Sequence, residues 1–560
     1  MNLKILDRIR SVYLCLLTAY TLLREVIPLG PVIENELIAY FFFGMGLLLI
    51  GTTFFVNRDY TSVPKMKTLF LFIVICVVSV LFNFRFAFVS NLKALGWMTL
   101  FLFLVYPMGA NSEKQKDSNL NIVFSTSFIV SAVLVAISLP MYLFDVDYSY
   151  INENIIGLYA SQGFSREFAR LWGVFGDANT GAVYSFMALI MSVYLFSKRK
   201  NVFVRILIVL ADVLIFMYNV LSGSRTAMVV FLCACAWLAF YPVLKKVKGT
   251  NLKKTGVATA SAIVTVVVLF CFYQGVQTAI PYLKLGVKNI SNYSVEINVH
   301  TMYNTLYSLE NVQSNYTPIL DEKDPDNKDK DKNKLEAIDR SDVGEKGDYS
   351  NGRIAKWQDA VEIFLASPII GASPRGASEF GKVHCPDNDI SRYGYAVHNT
   401  YLEVLMCVGL IGIITVISLL LSTAITVFKR AYKKEFSIRF MCAGAVMLAS
   451  VCSAVFLTDI FFNLTFGGLA FWFSMGVVNG DKKELPKTED KKRVLLYGAK
   501  DPVGGVEKIT LDYVKAIVKN HSDVSFDFLQ YGKDFSLEKE ITELGCRVIY
   551  LPSRKKFFKY

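Results

Sequence analysis

The stretch YGYAVHNTYLEVLMCVGLIGI, residues 393–413, joins a polar segment to a long apolar run. It contains His398, one of only four histidines in 560 residues. The apolar run that follows is long enough to cross a bilayer, because about 20 helical residues span the hydrocarbon core. Imidazole is the side chain that changes charge near neutral pH. Its position here therefore predicts a functional group at a membrane surface.

The composition of the chain also indicates a membrane protein. Hydrophobic residues make up 53% of the chain, and the mean hydropathy is +0.41. Its apolar runs are continuous rather than alternating, which indicates helices and not a β-barrel. We expect an all-α polytopic protein with about 12 transmembrane helices, judged by the length that a bilayer requires. The runs lie near residues 11–28, 35–56, 67–84, 92–109, 121–143, 178–197, 203–220, 226–244, 256–274, 400–428, 438–457 and 461–479.

Lysine and arginine are distributed unevenly between the loops. One set of short loops contains SKRK at 197–200, KKVKGTNLKK at 245–254 and KRAYKK at 429–434, whereas the short loops of the alternate set contain little beyond Arg85, Lys93, Arg166, Arg170 and Arg225. Because basic loops stay on the cytoplasmic side, both termini are expected to lie in the cytoplasm of a bacterial cell. The net charge of +12 comes mainly from these scattered loops, so it does not indicate nucleic-acid binding.

The topology divides the chain into a membrane domain, residues 1–480, and a tail. A large extracytoplasmic loop, residues 275–395, lies between helices nine and ten. Inside this loop, residues 321–351 are charged and nearly devoid of large apolar side chains, which predicts a disordered insertion. After a polar linker at 481–492, residues 493–560 alternate apolar strands with amphipathic helices and predict a small cytoplasmic α/β segment.

Three arginines in the predicted outer loops are candidates for binding a ligand. Arg170 is in ARLWGVFGDANTGAV, Arg225 in LSGSRTAMVV and Arg353 in NGRIAKWQDAVEIF. Each alone could be a snorkelling or surface-paired side chain. Together with His398 on the same face they predict a site for a lipid-linked diphosphate, because guanidinium groups bind phosphate through two parallel hydrogen bonds. No acidic cluster in the outer loops would clearly hold a metal ion, so none is expected.

Two local patterns give more detail of this site, and the first is the amphipathic spacing after Arg353. Arg353 would begin an amphipathic helix whose apolar face is formed by Ile354, Trp357, Val361 and Phe364.

In HNTYLE, the spacing of Thr400 and Glu403 matches a capping box, which predicts a helix that begins just after His398. A helix N-terminus disfavours imidazolium, so His398 should be neutral at pH 7 and able to accept a proton. The alternative is an interfacial histidine with no chemical role.

These motifs resemble the O-antigen ligase and O-antigen polymerase superfamily. The likeness rests on GSR in a short outer turn at 223–225, on WGVFGDANTGA at 172–182, and on R-x-x-x-W ahead of SPIIGAS at 367–373. HNTYLEVLMCVGLIG then closes the large outer loop. The resemblance covers roughly residues 1–480. It implies a helical membrane fold and the metal-independent, inverting transfer of a polyprenyl-diphosphate-linked glycan to a hydroxyl.

The resemblance also implies residue roles. Arg225 and Arg353 would hold the diphosphate, and His398 would activate the acceptor. We further expect Arg170, Asn179 and Asn399 to bind substrate, with no cofactor. The expected substrate is a polyprenyl-diphosphate-linked oligosaccharide taken from the lipid bilayer. A flippase and a chain-length regulator of the same pathway are possible partners.

The tail has a separate resemblance. RVLLYGAKDPVGGVEKITLDYVKAIVKN, residues 493–520, is similar to the first strand, glycine-rich turn and helix of a two-Rossmann-domain glycosyltransferase. The sequence contains only about three such strands before Tyr560, so nucleotide-sugar transfer by this segment is not expected. An association with glycan assembly favours a polymerase that builds a capsule, O-antigen or exopolysaccharide. A ligase that transfers the glycan to a lipid core, or a transporter of the same lipid-linked glycan, are the alternatives.

The topology leads to a direct test. A reporter fused after Lys248 should be active only in the cytoplasm, and one inserted next to Asp331 only outside, because basic loops are retained inside. The two fusions can be read with an alkaline phosphatase and fluorescent protein pair in intact cells. A reversed signal at either position would place the three arginines and His398 on different faces.

Overall fold

The computed structural model divides the chain into two units, Met1–Lys482 and Lys483–Tyr560. The predicted insertion at 321–351 lies outside the described residues, as does the polar linker up to residue 491. The structure describes residues 3–33, 35–56, 63–110, 113–144, 147–151, 159–165, 170–291, 352–433, 436–480, 492–497, 504–521, 524–531 and 535–551.

The first unit is a bundle of helices around one apolar core. Up to residue 291 the helices are α1 (Leu3–Leu23), α2 (Gly30–Ile33), α3 (Glu36–Val56), α4 (Met66–Phe82), α5 (Phe88–Leu100), a π-helical turn (Phe101–Val105), α6 (Tyr106–Gly109), α7 (Glu113–Leu143), α8 (Ala178–Lys198), α9 (Val202–Leu221), α10 (Arg225–Lys246) and α11 (Asn251–Ser291), which extends into the predicted large loop. From residue 352 onward come α12 (Arg353–Ala366), α13 (Ala377–His384) and α14 (Asp389–Tyr393), all within the predicted loop, and then α15 (Thr400–Lys433), α16 (Ile438–Ser453) and α17 (Phe466–Asn479).

The prediction of a polytopic helical membrane protein is confirmed. Within the described residues, eight helices are long and apolar enough to cross a membrane, and three shorter apolar helices, α4, α16 and α17, accompany them. A helix lies at each of the apolar runs that the sequence predicts. That all twelve cross the membrane stays a prediction.

Side-chain caps define where many of these helices begin. At each cap a side-chain oxygen accepts a hydrogen bond from a backbone N–H of the first turn, which would otherwise lack an intrahelical partner. The capping residues are Asp177 for α8, Asn201 for α9, Ser224 for α10, Ser437 for α16 and Thr465 for α17. Two of these caps, Asp177 and Ser224, belong to the candidate site.

An antiparallel sheet that the sequence did not predict lies between α7 and α8. Its strands are β1 (Asp147–Ile151), β2 (Tyr159–Ser165) and β3 (Arg170–Gly173), in the order β1-β2-β3. After β3, the Val174 carbonyl accepts a hydrogen bond of 3.0 Å from Ile27 N. The sheet thereby connects the end of α1 to the start of α8.

The helix α15 is interrupted at Gly409, whose backbone has φ 68° and ψ −167°. The segment that follows α12 fills this interruption. Leu410 N donates to Pro368 O at 2.8 Å, and Ala372 N donates to Met406 O at 2.9 Å. The apolar run after His398 is therefore not one continuous helix, because its backbone exchanges hydrogen bonds with residues 368–372, the centre of the SPIIGAS motif.

The helix α12 forms where the sequence predicts it, but the predicted apolar face is wrong. Ala360 and Ile363 are buried, whereas Ile354 is 54% exposed and Val361 is 38% exposed. Trp357 is half-buried. The buried stripe is rotated by roughly one residue, or 100°, from the predicted one.

The second unit is a small α/β segment with its own apolar core. The strand and helix order agrees with the sequence prediction, and the sheet is parallel in the order β4-β5-β6. Arg547 and Asp527 form a two-pronged ion pair across β6 and β5, with N–O distances of 2.8 and 2.6 Å. The elements are β4 (Lys492–Tyr497), α18 (Gly505–Asn520), β5 (Val524–Tyr531), α19 (Glu538–Glu543) and β6 (Arg547–Leu551).

The interruption of α15 predicts that Gly409→Ala is strongly destabilising. A Cβ at this position would lie 2.3 Å from Ile369 O, and the φ of 68° is unfavourable for a side chain. We expect a loss of at least about 1–3 kcal/mol from the backbone conformation alone, seen as a lower thermal transition of the purified protein in detergent. Gly256→Ala is the matched control, since a Cβ there meets nothing within 4 Å in α11. Equal stability of the two variants would contradict this account.

Candidate active site

The turn between α9 and α10 is held by a buried arginine. Arg170, 6% exposed, donates from Nε to Ser222 O at 2.8 Å and from Nη2 to Asn179 Oδ1 at 3.0 Å. Asn179 Oδ1 also accepts from Ser224 Oγ at 3.0 Å. Strand β3, helix α8 and the GSR turn are thus one hydrogen-bonded unit. Arg225, the first residue of α10, follows directly and its side chain is exposed.

The start of α8 adds a carboxylate to this unit. Asp177 Oδ2 accepts from Thr180 N and from Thr180 Oγ1, both at 2.8 Å. Its other oxygen, Oδ1, lies 3.4 Å from Asn179 Nδ2. Capping the helix fixes the position of this carboxylate, which is near enough to His398 to raise the pKa of its imidazole.

His398 is half-buried and has a positive φ of 52°, uncommon for a residue other than glycine. Burial lowers the pKa of His398 below its ordinary value of 6.5, and the nearby charges of Lys356 and Arg353 lower this pKa further. The carboxylate of Asp177 acts in the opposite direction. The imidazole is therefore mainly neutral at pH 7, and two cations of α12 and one carboxylate of α8 are near enough to shift its pKa.

The helix start after His398 differs in detail from the prediction. Asn399, not Thr400, is the cap, because Asn399 Oδ1 accepts from Tyr401 N at 3.0 Å and Leu402 N at 3.1 Å. Thr400 Oγ1 instead donates to Leu457 O at 2.6 Å. The predicted capping box of Thr400 and Glu403 is therefore wrong. Both Asn399 and Thr400 are residue types that cap helices, and the contact with Leu457 decides between them.

The helix α12 contributes the two cations that lower the pKa of His398. Arg353 is the first residue of α12, and its Cζ lies 5.8 Å from the centre of the Phe456 ring. One turn later, Lys356 Nζ lies 4.9 Å from the centre of the Tyr395 ring. Burial, followed by repulsion from Arg353, lowers the pKa of Lys356. Two cations so close together favour an anion with several negative oxygens.

The structure thus brings Arg170 and Asn179 into direct contact, and it places Arg353 and His398 within electrostatic reach of each other. Asn399 adjoins His398, but its side-chain oxygen is used by the helix cap.

Sequence reasoning missed Lys356 and Asp177. Lys356 could have been found because it lies three residues after Arg353, on the same side of a helix. Asp177 could have been found from its capping position ahead of Thr180.

Two further carboxylates are buried in the first unit. Glu403 is 8% exposed and Asp459 is 5% exposed. Glu403 Oε2 and both side-chain oxygens of Asp459 have no hydrogen-bond partner among the residues that the structure describes. Over the same residues, no group of three or more histidine, cysteine, aspartate or glutamate side chains is arranged to hold a metal ion.

Comparison with known protein families bears on this region of the chain. Residues 210–417 match the family described as O-antigen ligase. The matched range includes Arg225, Arg353 and His398, whereas Arg170 and Asn179 precede it. A search of curated proteins finds no match. The likeness of the tail to a glycosyltransferase stays a prediction. The match over residues 210–417 supports the predicted likeness to the O-antigen ligase and polymerase family.

Proposed function

We propose that the protein polymerises polyprenyl-diphosphate-linked oligosaccharide repeat units at the outer face of the bacterial cytoplasmic membrane. The observation that carries this proposal is the position of His398, half-buried and within electrostatic reach of Arg353, Lys356 and Asp177. A neutral imidazole is a proton acceptor at pH 7, and the cations beside it suit an anionic leaving group. O-antigen ligase-type transfer of a glycan requires both groups in one place.

The proposed step is a direct displacement at the anomeric carbon of the donor glycan. The acceptor hydroxyl gives its proton to the imidazole of His398, and its oxygen forms the new bond to the anomeric carbon. The bond between this carbon and the diphosphate oxygen breaks, and the electron pair leaves with the polyprenyl diphosphate. Attack from the side opposite the leaving group inverts the configuration of the carbon.

Arg353 and Arg225 are proposed to bind the diphosphate, with Lys356 as a third cation. Interactions that strengthen as negative charge develops on the leaving group lower the barrier directly. Arg170 and Asn179, expected to bind substrate, would act through the turn that they hold, since they hydrogen-bond to each other and to Ser222 and Ser224. Asn399 would likewise position His398 by capping the next helix.

Three activities remain to be distinguished, namely polymerisation, ligation and transport, and one assay separates them. Purified protein in liposomes is supplied with lipid-linked oligosaccharide extracted from the cells in which the protein naturally occurs. The products are resolved on a gel. Polymerisation should give a ladder of products spaced by one repeat unit. A single transferred unit on an added lipid core would indicate the ligase instead, and movement across the bilayer without a new bond would indicate a transporter.

The proposed base predicts the effect of His398→Ala and the pH dependence of the native protein. Loss of a positioned proton acceptor should lower turnover about 10²- to 10⁴-fold, with donor binding nearly unchanged. The native rate should fall on acidification, because the imidazole becomes protonated. The midpoint of that fall should lie below 6.5, since burial, Lys356 and Arg353 lower the pKa of His398. Initial rates across pH measure both effects.

Arg225→Lys and Arg353→Lys are the comparison variants. Each keeps the charge but loses the planar two-pronged donor, so donor binding and turnover should both fall. Near-native turnover of His398→Ala, with normal amounts of folded protein, would contradict the proposal that His398 is the base. A midpoint above 6.5 would contradict its electrostatic environment.

A further inference from the structure

Two exposed tyrosines lie beside the proposed site. Tyr393 is 63% exposed and Tyr395 is 41% exposed, and their ring centres are 5.3 Å apart with an angle of 31° between the rings. Tyr395 precedes His398 by three residues. Lys356, whose charge acts on His398, has its ammonium group 4.9 Å from the centre of the Tyr395 ring. The ring pair therefore adjoins the site through Lys356.

The backbone that carries these rings is held by hydrogen bonds. Asn388 caps α14 by accepting from Ile390 N at 2.9 Å and from Ser391 N at 3.3 Å. Its Nδ2 donates to Asp359 O at 2.8 Å, which ties α14 to α12. At the other end of α14, Gly394 N donates to Ile390 O at 2.9 Å, and the positive φ of 67° at Gly394 turns the chain between the two rings. A pre-positioned aromatic pair binds a ligand with little loss of conformational entropy.

The surroundings of the rings indicate which ligand they suit. The segment 386–395, PDNDISRYGY, carries two aspartates, an asparagine, a serine and an arginine. Its apolar residue Ile390 is buried, at 2% exposure. A lipid-facing or protein-binding surface would expose more aliphatic side chains. Flat rings with hydroxyl groups, next to an ammonium group, instead suit a ligand that has C–H faces and many polar oxygens.

We propose that Tyr393 and Tyr395 form a saccharide-binding subsite that holds the acceptor glycan next to His398. A sugar ring packs its C–H face against the exposed tyrosines, and its hydroxyl groups form hydrogen bonds with the tyrosine hydroxyl groups. This proposal rests on the proposed function for the identity of the glycan as acceptor. Binding itself requires no turnover, so the two proposals can fail separately.

The first test measures binding alone. The probe is the oligosaccharide released by mild acid from the lipid-linked pool of the producing cells, and saturation-transfer NMR detects its contact with the detergent-solubilised protein. Tyr393→Ala/Tyr395→Ala should lose at least about 80–90% of the signal, as expected for an affinity at least tenfold weaker. Tyr393→Phe/Tyr395→Phe should keep most of it, because the rings remain. Tyr282→Ala, which removes a tyrosine that is 60% exposed on α11, is the matched control and should bind as the native protein does.

The second test measures turnover. In the polymerisation assay, the double alanine variant should raise the KM for the acceptor about tenfold or more and leave donor binding and kcat within about twofold, since a subsite that does not contact the reacting atoms supplies binding only. Native binding and native KM in the double alanine variant would overturn the subsite. Tyrosine-dependent binding by a protein that shows no transfer would keep the subsite and reject the proposed function. A third outcome would also overturn the inference. If the double alanine variant binds saccharide normally but its activity depends on the lipid composition of the bilayer, the rings are a membrane contact.

Discussion

The hydrogen bonds between residues 368–372 and the interrupted helix α15 are the interaction on which the candidate site depends. An apolar environment leaves no water to satisfy a free backbone N–H or C=O, so an interruption inside an apolar helix needs a protein partner. Pro368 O and Ala372 N supply part of that partner, with bonds of 2.8 Å to Leu410 N and 2.9 Å to Met406 O. Residues 368–372 are consequently fixed to the helix that begins after His398. The helix α12, with Arg353 and Lys356, lies directly before this segment.

Two asparagines hold the same segment from the opposite side. Asn83 Nδ2 donates to Gly371 O at 2.9 Å, and Asn91 Nδ2 donates to Ser373 Oγ at 3.0 Å. Asn91 Oδ1 also accepts from Arg375 N at 2.7 Å. Buried amides that are satisfied on several sides make one arrangement of the chain much more favourable than its alternatives. The α4–α5 turn therefore helps to orient a site to which it contributes no proposed catalytic residue.

The sequence predicts the parts of this structure that depend on local pattern. Apolar runs predict the helices, and the side of the membrane predicts that Arg353 and His398 are neighbours. The interruption at Gly409 depends on residues some forty positions earlier. A glycine in an apolar run does not by itself predict a break in the helix. The predicted apolar face of α12 is rotated by about one residue from the buried one. Ile354 and Val361 are as apolar as the buried Ala360 and Ile363, so composition does not distinguish the two faces. The cap after His398 was predicted at Thr400 because the contact with Leu457 cannot be read from HNTYLE.

The charges around His398 carry a further consequence for the order of events in the proposed reaction. Without a donor, Arg353 and Lys356 face the imidazole and lower the pKa of His398, which makes it a weaker base. A bound diphosphate brings negative charge to the same cations and offsets part of their repulsion, so His398 becomes a stronger base when the donor is in place. Asp177 opposes the cations at every stage and stabilises the imidazolium after proton transfer. Arg353 and Lys356 would therefore have two effects. They would neutralise the leaving group when the donor is bound, and they would keep the pKa of His398 low when it is absent. Deprotonation of an acceptor is thus disfavoured in the absence of a donor.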